Sequence, residues 1–160
     1  MKHVILIRHG KSSWNHNVGD VLRPLSERGV SDIKKIAKQF KLLEINPDAV
    51  FTSHAKRASH TCELFCEGID YNLNDFDVVQ LLYDFEGSQV IDFIKKLSHH
   101  IKVVLIFGHN NAFTNISNIF GSKYIDNVPT SGLVHLVFDI DKWENLKPGI
   151  TKQTLFPKEL

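Results

Sequence analysis

The sequence is short of the residues that mark several protein classes. It holds two cysteines and one methionine in 160 residues. Cys62 and Cys66 stand four apart inside a helical pattern, where side chains diverge too far for a disulfide. No further Cys or His stands beside them at metal-ligand spacing, so they read as small apolar residues in or near a core. An excess of one charge is also missing. Nineteen Lys and Arg against eighteen Asp and Glu leave a net charge of +1, without a basic block, which argues against a nucleic-acid partner. The opening apolar run, Val4 to Ile7, stops at Arg8, too early for a signal core or a bilayer span. No membrane partner is therefore expected, and a cytoplasmic location follows by default. Linkers, repeats and low-complexity stretches are lacking too, so one domain over residues 1–160 is expected.

What is present is ordinary for a globular protein: 42% apolar and 23% charged residues. Strand-like apolar runs alternate with helical periodicity. Val4–Ile7, Ala49–Thr52, Phe76–Leu82, Val103–Phe107 and Leu133–Phe138 read as strands, with Thr151–Phe156 as a possible edge strand. Ser26–Leu43, Ala55–Cys66, Ser88–Leu97 and Ala112–Phe120 read as helices; Asn46-Pro47-Asp48 ends the first, and Gly121 closes the last. The alternation predicts an α/β/α sandwich of three layers around a mostly parallel sheet. In such sheets ligands lie beyond the carboxyl ends of the strands.

Three polar clusters fall at strand ends: Arg8-His9-Gly10, Ser53-His54 with Lys56-Arg57 just after, and Gly108-His109-Asn110. Two arginines and two histidines on one edge suit an anion, because guanidinium forks onto phosphate oxygens and stays charged. A neutral imidazole among them can attack phosphorus through one ring nitrogen while the other gives its proton to an acceptor such as a backbone carbonyl. Neighbouring positive charge lowers the histidine pKa and keeps the ring neutral. Fixed cations then stabilise charge on the equatorial oxygens. There is no Asp-rich, HExxH or Walker-type motif, so neither a metal nor another cofactor is expected.

Four segments carry a family resemblance. Arg8-His9-Gly10-Lys11-Ser12-Ser13-Trp14-Asn15 resembles the signature of the histidine phosphatase (RHG, phosphoglycerate-mutase-like) superfamily. Arg23-Pro24-Leu25-Ser26-Glu27-Arg28-Gly29 is similar to the segment that opens that family's first helix. Thr52-Ser53-His54-Ala55-Lys56-Arg57-Ala58 with Thr61 resembles its second-arginine segment, and Gly108-His109-Asn110 its second-histidine segment. The small size, with Asp126 to Gly132, resembles the SixA-like phosphohistidine phosphatases.

The resemblance implies a phosphoglycerate-mutase-like fold and a role for each matching residue. His9 becomes the phosphohistidine intermediate, and Arg8, Arg57 and His109 bind the phosphoryl group. Asn15 and Ser12 contact phosphate, Gly10 and Gly108 let backbone approach it closely, and Ser131-Gly132 form part of the wall. Larger members use a Glu or Asp to protonate the leaving group. Here the candidate segment is Leu82-Tyr83-Asp84-Phe85-Glu86-Gly87, with Asp84 the expected acid and Glu86 the other choice. Neither matches the family pattern cleanly. General acid help is worth roughly two to four orders of magnitude for a basic leaving group. Imidazole is a far better leaving group than an alkoxide, so a site with a poor acid favours phosphohistidine over phosphate esters.

The expected partner is accordingly a phosphorylated protein carrying phosphohistidine. A small phosphorylated metabolite is the alternative, and a catalytically silent phosphate-binding module the third reading. Among the remaining residues, His54, Lys56 and His60 read as a solvated helix face. His3, His16 and His135 read as structural or surface residues. Trp143 reads as core, and Trp14 as core or pocket wall.

Overall fold

The computed structural model describes all 160 residues. Six strands form one sheet: β1 (Lys2–Arg8), β2 (Ala49–Thr52), β3 (Asp77–Val78), β4 (Val103–Gly108), β5 (Leu133–Phe138) and β6 (Ile150–Leu155). Their order is β3-β2-β4-β1-β5-β6. β3, β2, β4 and β1 pair in parallel; β5 runs antiparallel to β1, and β6 antiparallel to β5. Only β5 is therefore reversed, and the sheet is mixed although mostly parallel.

Each central strand is apolar on both faces, because helices cover both. Val4 and Leu6 of β1 and Val104 and Ile106 of β4 enter one core with Phe113, Ile116, Leu82 and Trp143. Ile5, Ile7, Leu105 and Phe107 enter the other, with Ile33, Ile36, Phe40 and Phe65. The first core lies under α3 (Ser88–Lys95) and α4 (Ala112–Phe120); the second lies under α1 (Glu27–Lys41) and α2 (Lys56–Gly68). Cys62 and Cys66 are buried in that second core as free thiols.

Local sequence explains how the helices start. Ser26 stands outside α1 as its N-cap, and its hydroxyl accepts the Gly29 N–H at 3.1 Å. At Gly29 an added Cβ would lie 2.3 Å from the Lys11 carbonyl oxygen, so only glycine lets α1 press against the loop after β1. That loop and the segment before α1 are stitched together by Ser13 N–H to Pro24 O and Ser26 N–H to Lys11 O, both at 2.8 Å.

One expectation needs correction. Phe76–Leu82 is not a full strand. Only Asp77 and Val78 pair with β2, which ends at Thr52, and the chain then turns through a 3₁₀ segment, Gln80–Leu82, that sinks Leu82 into the core. The edge strand expected over Thr151–Phe156 is present as β6, which pairs with β5 along its length through one irregularity at His135/Leu136. The connection 121–132 returns the chain to the carboxyl edge after α4, so the start of β5 joins the edge where β1, β2 and β4 end.

Candidate active site

Because β2, β4 and β1 are neighbours, the residues that follow them converge. His9 follows β1, Ser53 follows β2 and His109 follows β4. The backbone of His9 is gripped from both sides: its N–H donates to Gly108 O, and its carbonyl accepts the Ser131 N–H, each at 3.0 Å. Its side chain is held too. Nδ1 lies 2.7 Å from the Gly10 carbonyl oxygen, which can only accept, so Nδ1 carries the proton and Nε2 has the free lone pair. Burial lowers the His9 pKa to about 3, assisted by the charges of Arg57, Arg8 and Arg23 and opposed by the Gly10 hydrogen bond. The ring is neutral throughout the physiological range.

Three guanidinium groups surround a cleft of about 250 Å³ that His9 also lines: Arg8, Arg23 and Arg57. Each is tied to protein oxygen through a terminal nitrogen. Arg8 Nη1 donates to Val128 O at 2.8 Å, and Arg57 Nη1 to Asp20 O at 2.7 Å. Arg57 Nη2 meets Asp20 Oδ2 at 3.0 Å, and Arg23 Nη2 meets Asp20 Oδ1 at 3.4 Å. In all three the Nε–H is buried without a partner. Three guanidinium groups lining one cleft, with no more than one carboxylate among them, suit an anion there.

His109 is fully buried beside His9, its ring centroid 5.4 Å from that of His9, and it is not among the residues that line the cleft. Its Nε2 lies 2.8 Å from Ser53 Oγ, which also accepts the Ala55 N–H at 3.2 Å. The other ring nitrogen of His109, Nδ1, is buried without a partner. Burial, with the neighbouring His9 and Arg57, lowers the His109 pKa to about 3.

The other anticipated residues fare differently. Ser12 is buried and lines the cleft. Asn15 does not join it: it is exposed, and its N–H donates to Ser13 Oγ. Asn110 lines the cleft instead, with its amide oxygen capping α4 through Thr114 N–H. Gly10 and Gly108 are both required by packing. A Cβ at Gly10 would meet Gly29 O at 2.9 Å, and one at Gly108 would meet the Phe113 ring at 2.8 Å. Ser131 is buried at a positive φ of 60° with its hydroxyl unpartnered, while Thr130 is the wall residue.

Asp84 is corrected most sharply. Its carboxylate accepts four backbone N–H groups, those of Glu86, Gly87, Gln89 and Val90, each at 3.1 Å. It caps α3, as an acidic group at a helix N-terminus should, and lines no part of the cleft. Glu86 is likewise occupied, accepting from the Ser88 hydroxyl at 2.7 Å. The only carboxylate lining the cleft is that of Asp20, absent from the sequence-based site. Burial pushes its pKa up, but hydrogen bonds from Tyr83 and Arg57 and the charges of Arg57 and Arg23 outweigh this and hold it below the usual carboxylate range. Arg23, Lys11, Tyr83 and Phe85 also escaped notice as site residues. The one available signal was the Asp20/Arg23 spacing of three, an ion-pair spacing that is common on any surface.

No helix is long and apolar enough to cross a membrane. A sequence profile for the histidine phosphatase superfamily (branch 1) matches residues 4–79. A 2,3-bisphosphoglycerate-dependent phosphoglycerate mutase of Bifidobacterium longum (strain DJO10A) is 36% identical over 70 residues, which is 42% of this chain and 28% of that protein. The chain therefore spans little more than a quarter of the curated relative it matches. Similarity of fold extends further. The protein histidine phosphatase SixA, solved with tungstate, superposes with a TM-score of 0.83 at 19% identity, covering 98% of both chains. The α-ribazole phosphatase of Shigella flexneri superposes with a TM-score of 0.65 at 18% identity, over 88% of this chain and 92% of that one.

Proposed function

We propose that this chain, which carries the histidine phosphatase superfamily signature in its first half and the histidine phosphatase fold throughout, is a phosphatase acting through a phosphohistidine on His9, with protein phosphohistidine as its substrate class. The observation that carries the reading is the set of three guanidinium groups, each anchored to protein oxygen, that line one cleft with a neutral imidazole.

The first step is in-line attack of His9 Nε2 on phosphorus. A bond forms from Nε2 to phosphorus, the substrate P–N bond breaks, and its electron pair leaves with the imidazole, which takes a proton from solvent. Arg8, Arg57 and the Nδ1–H of His109 meet the equatorial oxygens, where charge gathers. In the second step water attacks the same phosphorus and gives up a proton to solvent, the P–Nε2 bond breaks, its electron pair returns to His9, and inorganic phosphate leaves. The Gly10 carbonyl holds the ring in one tautomer through both steps.

The choice of substrate class rests on the missing acid. Asp84 and Glu86 are committed to capping α3, and Asp20 is held ionised by Tyr83, Arg57 and Arg23. With no carboxyl group poised to donate a proton, an alkoxide leaves slowly whereas imidazole needs little help. The similarity to a protein histidine phosphatase supports the same choice. A small-molecule phosphomonoesterase is the second reading, supported by the shared fold of the Shigella flexneri enzyme. The test compares kcat/KM on a phosphohistidine peptide with that on an alkyl phosphate. The first should exceed the second by at least roughly a hundredfold, the low end of what general acid catalysis supplies. Equal or reversed values would select the phosphomonoesterase.

A further inference from the structure

Two aromatic side chains line the cleft while keeping much of their surface uncovered: Trp14 is 74% exposed and Phe85 44%. A lone exposed aromatic is unremarkable in a soluble protein. These two share one cleft, and each is braced from behind by the phosphate-binding machinery. The Arg23 guanidinium carbon lies 3.6 Å from the centroid of the Trp14 ring. Arg23 is tied to Asp20, which Arg57 and Tyr83 also hold. Phe85 leans on His109, with centroids 4.8 Å apart, and meets Tyr83 edge-on at 5.0 Å. Each ring is thus fixed by a site residue and still largely open to solvent.

We propose that Trp14 and Phe85 form an aromatic grip for a planar leaving group, the imidazole ring of a phosphohistidine side chain. The inference rests on the reading of the site as a P–N hydrolase and specifies how that site selects its substrate. In-line attack places the leaving group opposite His9, within the cleft that both rings line. A flat ring stacks on Trp or Phe for about 0.5–1.5 kcal/mol beyond its buried area. As the P–N bond breaks, the electron pair left on the ring balances the proton it takes at its other nitrogen, so imidazole departs neutral. Stacking on Trp14 and Phe85 holds that ring in line with phosphorus and His9, and such positioning lowers the barrier. An alkylamine or ammonia leaving group has no π face and gains no stacking from the arrangement.

The test uses the full chain with two P–N donors: phosphoimidazole, whose leaving group is a ring, and phosphoramidate, whose leaving group is ammonia. The quantity read is the ratio of their kcat/KM values in wild type, Trp14→Ala, Phe85→Ala and Trp14→Phe. Truncation of either exposed ring removes little packing, and thermal melts check this. The ratio should fall about tenfold in each alanine variant, equivalent to ~1.4 kcal/mol of transition-state stabilisation, and Trp14→Phe should restore most of it. A ratio that stays constant while both activities fall would mean that the rings merely brace Arg23 and His109, and would overturn the grip. A wild-type protein that hydrolyses an alkyl phosphate but neither P–N donor would overturn the phosphohistidine reading itself, and the grip with it.

Discussion

The Nδ1–H of His9 donates to the carbonyl oxygen of Gly10, the next residue, at 2.7 Å. This single bond decides which nitrogen carries the free lone pair, the one proposed to attack phosphorus. It acts together with burial and three nearby guanidinium groups, which lower the His9 pKa to about 3. A lowered histidine pKa keeps the neutral form at every pH above the folded value, so His9 should not gain charge as pH falls through 6.5. Nitrogen-15 NMR of the free protein should find Nδ1 protonated and Nε2 bare from pH 8 down to pH 5. Titration of the ring near 6.5 would contradict the assignment.

We propose that Ser53 sets the tautomer of His109. Its oxygen accepts from Ala55 N–H and lies 2.8 Å from His109 Nε2; a Ser53 hydroxyl donating there leaves the proton of His109 on its unpartnered Nδ1. Ser53→Ala frees the imidazole to place that proton on either nitrogen. A neutral hydrogen bond contributes about 0.5–1.5 kcal/mol, so kcat/KM should fall by up to about tenfold. The proton of His109, read by nitrogen-15 NMR, should become shared between the two ring positions. An unchanged tautomer in the variant would mean that Ser53 only packs against His109.

Asp20 orients two guanidinium groups at once, Arg57 through Oδ2 and Arg23 through Oδ1. Asp20→Asn replaces charge-assisted bonds of roughly 1.5–3 kcal/mol with neutral ones. Its side chain is 47% exposed, so the fold should survive. We expect kcat/KM to fall about tenfold or more, with a rise in KM for phosphoryl donors. A gain in activity would identify Asp20 instead as a competitor that occupies Arg57 until phosphate displaces it.

Much of this architecture is legible before any coordinates. Arg8, His9, Ser53, Arg57 and His109 stand at or just after apolar runs, and a parallel sheet brings the ends of β1, β2 and β4 to one edge. Asp20 was not legible, because its contact with Arg57 spans 37 positions and depends on how the loop after β1 folds back. Asp84 was misread for a different reason. A carboxylate just ahead of a helix looks the same in sequence whether it faces a substrate or caps the helix. Only the four N–H groups converging on its oxygens decide the matter. The glycines show the same ambiguity, since Gly10 and Gly108 permit close packing against Gly29 and Phe113, a use that the sequence does not distinguish from approach to a ligand. Asn15 and Asn110 both sit in recognisable segments, and the fold of the loops, not their residue type, brings Asn110 to the cleft and leaves Asn15 outside.

The claim that organises the account is that phosphate passes through Nε2 of His9. A rapid-quench experiment with a ³²P-labelled phosphohistidine peptide tests it most directly. The account predicts a transient label on the protein, stable in base and lost in acid, located at Nε2 of His9. The label and the turnover should both vanish in His9→Ala, while circular dichroism shows the fold intact. Turnover that persists in His9→Ala, or a label on any other residue, would contradict it.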